Sequence, residues 1–118
     1  MAKERRQSRS DDPIEAAELY LTAAAKRRSY KALTLTNSEG IVVADAPSDL
    51  NSEALAAVAP IAGPGDHNSD GLLDLVTRGH PLRVWDVDIE GQQHYLAAVG
   101  MDKLPPSEAE RALRRILC

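Results

Sequence analysis

The clearest alternation of apolar and polar positions runs from Leu82 to Gly100, LRVWDVDIEGQQHYLAAVG. Val, Ile, Trp and Tyr suit a pleated surface, and two runs rich in them flank Glu90-Gly91. Gly supplies the positive φ of a tight turn, so the stretch predicts a β-hairpin. With a two-residue loop, Trp85 lies opposite Leu96, Val84 opposite Ala97 and Leu82 opposite Val99. A three-residue loop shifts that register. The pairs alternate between faces and are apolar on both, so the hairpin base is expected to be covered on two sides. Asp86, Asp88, Glu90 and His94 make its tip polar.

The rest of the chain falls into elements around this hairpin. Asp12 is a good N-cap, Pro13 follows at the first helical position, and Glu15 sits three after the cap. Ile14, Ala17, Leu21, Ala24 and Ala25 then form one helical stripe, and Lys26, Arg27 and Arg28 fill the last turn, where they complement the helix dipole. Lys31–Thr36 and Gly40–Ala44 read as strands joined by Asn37-Ser38-Glu39-Gly40, a first hairpin. Asn51 or Ser52 caps a second helix with Leu55, Val58, Ala59 and Ala62 on its apolar face. Pro60 either kinks that helix or ends it near Ala59, and Gly63-Pro64-Gly65 stops it. In the stretch 66–79, Leu72–Thr77 fits a short strand or one to two helical turns. The strand is preferred here, because Arg78-Gly79-His80-Pro81 resembles a turn into the Leu82 hairpin. Pro105-Pro106 precedes a last helix in which Ser107 and Glu110 form a capping box. Ala109, Ala112, Leu113, Ile116 and Leu117 make its apolar face, with Arg111, Arg114 and Arg115 outward.

The predicted fold is therefore α+β. An antiparallel sheet of five strands, or four if Leu72–Thr77 is helical, carries helices on both faces in the order α-β-β-α-β-β-β-α. Residues 12–118 form one domain, and residues 1–11, MAKERRQSRSD, form a disordered basic tail with nothing apolar to offset the entropy of ordering it.

Composition narrows the function classes. A chain of 118 residues suits a single core. One Trp, three Tyr and no Phe make that core aliphatic. A net charge of −4 gives no reason to expect nucleic acid as a partner. No apolar run approaches the roughly 20 residues of a membrane span, and no signal core opens the chain, so a cytoplasmic location is expected. Cys118 is the only cysteine, which rules out an internal disulfide.

The sharpest local motif is Asp66-x-Asn68-x-Asp70-Gly71, the first half of a calcium loop. The twelfth position, where such a loop needs a bidentate Glu, is Thr77, so an acidic turn is the better account. His67, His80 and His94 have no metal-ligand spacing, and Asp86 with Asp88 reads as a solvated pair. There is no phosphate-binding Gly loop and no nucleophile elbow. No enzyme, cofactor or metal is expected.

The element order and several stretches resemble the roadblock / dynein light-chain family, in particular its bacterial members. Ala32–Ala44, a strand, a polar turn ending in Gly40 and a second strand, resembles the family's first hairpin. Leu55–Ala62 resembles its Ala-rich central helix, and His94–Gly100 with Ala109–Leu117 its closing strand and last helix. The resemblance implies a non-enzymatic homodimer whose sheets join edge to edge, and a regulator or scaffold of a Ras-like small GTPase. It maps the dimer contact onto Leu55, Val58, Ile61, Leu73 and Leu75, with Leu72–Thr77 as the pairing edge. Two other readings stay open: an interaction scaffold without a GTPase, and a small-ligand sensor, which requires an apolar pocket.

Overall fold

The computed structural model describes residues 12–46, 48–67, 75–100 and 106–117, with side chains of the last helix from residue 111 on. The elements are α1 (Pro13–Arg28), β1 (Ala32–Asn37), β2 (Val42–Asp45), α2 (Ser52–Ala62), β3 (Gly65–His67), β4 (Leu82–Ile89), β5 (Gln92–Val99) and α3 (Pro106–Leu117). The order is α-β-β-α-β-β-β-α, as expected. The five strands lie as β2-β1-β5-β4-β3, with every neighbouring pair antiparallel.

The β4–β5 hairpin closes through a two-residue loop. Glu90 and Gly91 have φ of 54° and 79°, the positive pair of a type I′ turn, whose twist matches that of the strands. The register is the predicted one, with Trp85 opposite Leu96, Val84 opposite Ala97 and Leu82 opposite Val99. Strand alternation then divides the core in two. One face carries Leu33, Leu35, Trp85, Val87, Ile89 and Leu96 beneath Ala17, Leu21 and Ala24 of α1 and Leu113 of α3. The other carries Ala32, Leu82, Val84, Ala97 and Val99 beneath Leu55 and Ala59 of α2. Leu21, Leu55 and Leu113 are fully buried, each worth about 2 kcal/mol relative to exposure.

Local chemistry sets the helix ends. Asp12 caps α1 by accepting from the Ile14 N–H at 3.0 Å. At the other end, the Tyr30 N–H donates to the Ala25 carbonyl at 2.9 Å and the Ser29 N–H to that of Lys26 at 3.3 Å. This is a Schellman cap with Ser29 in the left-handed region, φ 57°, where glycine is usual. Of the two candidates, Asn51 caps α2, accepting from Ala54 at 3.1 Å. Helix α2 passes through Pro60 and ends at Ala62. Pro60 has no N–H to give the Ala56 carbonyl, and Gly40 of the β1–β2 turn seats beside that site. A Cβ on Gly40, φ +82°, would stand 3.3 Å from Ala56 O and 3.2 Å from Ala57 Cα. The turn itself is tied by Asn37, whose Oδ1 accepts from Glu39 and Ile41 at 2.9 and 3.1 Å.

Two expectations need correction. The third strand is Gly65–His67, not Leu72–Thr77. Residues 75–77 are helical, with Val76 against the α2-side core, Thr77 buried and Leu75 exposed, while 72–74 lie outside the described residues. A short apolar run does not distinguish a strand from a buried helical turn, whereas a three-residue edge strand buries too little to look apolar. Helix α3 starts at Pro106, so Ser107 lies inside it rather than capping it. The tail at 1–11 and the end of the chain at Cys118 lie outside the described residues.

The short β3 is fastened by side chains as well as by its ladder. Asp66 pairs with Arg83 across the strands, and the guanidinium reaches both carboxylate oxygens, Nη2 to Oδ2 at 2.6 Å and Nε to Oδ1. The Asp66 carboxylate holds Arg83 above its usual pKa. The guanidinium also lies 5.9 Å from the centroid of the Trp85 ring.

Two outcomes follow. Ser29→Gly should raise stability by about 0.5–1 kcal/mol in urea denaturation, because the cap needs a left-handed residue. Arg83→Ala should cost no more than about 1 kcal/mol globally, since the pair is partly solvated. It should still speed hydrogen exchange at the β3 amides, and Arg83→Lys should do nearly the same, because Lys lacks the planar fork.

Candidate protein-interaction surface

The residues marked as a contact surface separate into three groups. Leu55 is fully buried against the sheet, so its side chain is committed to the protomer's own core. Val58 is half-buried on α2. Ile61 and Leu75 are 85% and 77% exposed, and Leu73 lies outside the described residues. Ala62 and Val76 pack on the α2-side core, and their chain neighbours Ile61 and Leu75 turn to solvent. Ile61 is four residues ahead of Gly65, where β3 begins. Two large aliphatic side chains therefore stand exposed, each next in the chain to a partly buried residue of the α2-side core, and Ile61 lies close in sequence to the terminal strand.

Strand β3 ends its pairing at Gly65 opposite Val84, so β4 continues beyond it toward the tip. The two-residue turn makes Ile89–Gln92 the bonded closing pair. Asp88, one step further down, then turns its backbone groups away from β5. Arg114 of α3 meets it there, Nε donating to the Asp88 carbonyl at 2.9 Å. An arginine expected to point into solvent thus caps an open stretch of strand, a device that discourages edge pairing. Asp86 and Asp88 are exposed on one face of β4.

The remaining polar candidates do not converge. Both oxygens of Asp66, the first position of the calcium-like motif, face Arg83, and Asn68, Asp70 and Gly71 lie outside the described residues. His67 Nε2 lies 2.7 Å from the Gly63 carbonyl, and the largely buried His94 has Nδ1 3.0 Å from the Gln92 carbonyl. Among the described residues no group of three or more His, Cys, Asp or Glu side chains could hold a metal ion. A cleft of about 410 Å³ lies between Asn37, Ser38, Glu39, Gln92 and Gln93. Its lining is polar, unlike the apolar pocket a sensor requires. No helix among the described residues is long and apolar enough to cross a membrane.

What this arrangement offers chemically is contact area: exposed aliphatic side chains adjoining the α2-side core and, among the described residues, an unpaired outer edge on β3. Sequence reasoning does not single out Leu19 or Ile41, which are 53% and 58% exposed, nor the cross-strand role of Arg83. Arg83 is readable in principle, since it alternates with apolar Leu82 and Val84 and so has to lie on the opposite face from them.

No protein-family model matches the chain, and no curated protein does. Solved structures do. MglB in a tetrameric arrangement and the gliding protein MglB from Thermus thermophilus are each 20% identical, at TM-score 0.57, over 89% of this chain and 90% of theirs. MglB from Myxococcus xanthus is 11% identical, at TM-score 0.56, over 90% of each chain. MglB is a roadblock-domain protein, and likeness at these identities speaks to architecture: this chain has the roadblock fold.

Proposed function

We propose that this protein is a non-enzymatic homodimer that regulates or scaffolds a Ras-like small GTPase. The observation that carries the reading is exposed Ile61 at the end of α2, four residues ahead of the terminal strand of a roadblock fold, with Leu75 exposed beside a residue of the same α2-side core. An apolar margin beside an open edge suits an isologous contact, in which one patch meets its own copy across a two-fold axis. Val58 extends that contact along α2, and Leu55 supports it from beneath. The tetrameric arrangement of MglB is in keeping with self-association of this fold. The GTPase is the partner class implied by the resemblance of the Ala32–Ala44 hairpin and the Leu55–Ala62 helix to the roadblock family.

Titration of the full chain against Ras-like GTPases encoded beside it tests the partner class. Each GTPase is loaded with GDP and with a non-hydrolysable GTP analogue. The expected result is binding to at least one, with affinities for its two forms differing about tenfold or more, about 1.4 kcal/mol. Absence of binding to any of them in either nucleotide state would contradict it.

A further inference from the structure

The end of the sheet remote from β3 carries a second exposed strip. There β2 is the terminal strand. The Ala46 N–H donates to the Leu33 carbonyl at 2.9 Å, which makes Leu33–Ala46 a bonded pair. Asp45, opposite Thr34, therefore turns its backbone N–H and C=O outward, away from β1. On the α1 side, Glu15, Glu18, Leu19 and Thr22 form with Asp45 a groove of about 300 Å³. On the other side, Gly40, Ile41, Val42 and Glu53 line a cleft of about 330 Å³. Leu19 and Ile41 stand more than half exposed in these two hollows. The Ser52 hydroxyl donates to the Asp45 carboxylate at 2.7 Å and keeps it at the strand. The strip thus offers a short main-chain edge, two apolar contacts and a rim of Glu15, Glu18, Asp45 and Glu53. An extended segment rich in cations fits all three, pairing with the edge through its backbone and with the rim through its side chains.

The chain contains such a segment. Residues 1–11 carry Lys3, Arg5, Arg6 and Arg9 against Glu4 and Asp11, with no Pro or Gly. They join α1 at Asp12, three residues before Glu15. Fully extended they reach about 36 Å, well beyond the roughly 13 Å of a four-residue strand. We propose that residues 1–11 seat along the outer edge of β2, with their cations against Glu15, Glu18, Asp45 and Glu53. The N-terminal arm then covers the edge opposite the β3 margin and keeps it from pairing with other chains. Because charge holds the arm, salt releases it. The inference stands whether or not the protein dimerises through β3.

The test uses the full chain with a nitroxide on Ser8→Cys and with Cys118→Ser. At about 25 mM NaCl the amide signals of Leu19, Ile41 and Asp45 should lose about half or more of their intensity, and at about 500 mM they should recover. They should also recover in the Arg5→Glu/Arg6→Glu/Arg9→Glu variant, whose changes lie outside every described element. Three results would overturn the proposal. The first is full intensity at low salt. The second is broadening that survives the charge reversal. The third is equal broadening when isotope-labelled chain is mixed with spin-labelled, unlabelled chain, which assigns the groove to another copy's segment.

Discussion

Two consecutive positive φ angles, 54° at Glu90 and 79° at Gly91, set the register on which the sheet depends. Side chains along a strand alternate, so a slip of one residue would bring Trp85, Val87 and Ile89 to the α2 side and leave Asp86 and Asp88 beneath α3. With the turn closed at two residues, Leu96 and Ala98 of β5 join Trp85 and its neighbours on the face covered by α1 and α3. Strand β1 copies the alternation through its pairing with β5, Leu35 opposite Leu96 and Leu33 opposite Ala98. The same turn aims the Asp88 carbonyl outward, where Arg114 reaches it. Helix α3 is therefore anchored to the hairpin twice, through buried Leu113 and through one charge-assisted hydrogen bond.

Much of this architecture was legible because strong local signals agreed with one another. Asp12 and Pro13 start α1, Asn37 and Gly40 shape the first hairpin, and alternating apolar residues build the second. The misread strand shows where such signals fail. Gly65-Asp66-His67 is polar because a three-residue edge strand buries almost nothing, and its Asp answers to Arg83, which is 17 residues away in the chain. Leu72–Thr77 is apolar, but Val76 and Thr77 meet the core through a helical turn, a choice made by tertiary packing. Pro60 was an ambiguous stop for a related reason. The helix tolerates it where the lost hydrogen bond leaves the Ala56 carbonyl beside a glycine turn rather than a bulky side chain.

The candidate surface was legible only in part. Leu55, six residues before Ile61 and about 120° away round the helix, belongs wholly to the interior, whereas Ile61 is exposed. The sequence does not say which of the apolar residues on α2 the sheet beneath it will cover. The chain leaves that helix through Gly63 and Pro64 directly into β3, and at the helix end Ala62 meets the core while Ile61 turns to solvent. The proposed self-association uses this margin, while the polar cleft near the hairpin tips gives little support to a ligand sensor.

Light scattering behind size exclusion, over a concentration series, tests the central claim most directly. The protein should hold twice its protomer mass down to low micromolar concentration, and Ile61→Glu should shift it to a folded monomer, because burying an unpaired carboxylate at the contact is costly. A strict monomer at high micromolar concentration, or a dimer indifferent to Ile61→Glu and to Leu75→Glu, would contradict an association built on the β3 margin.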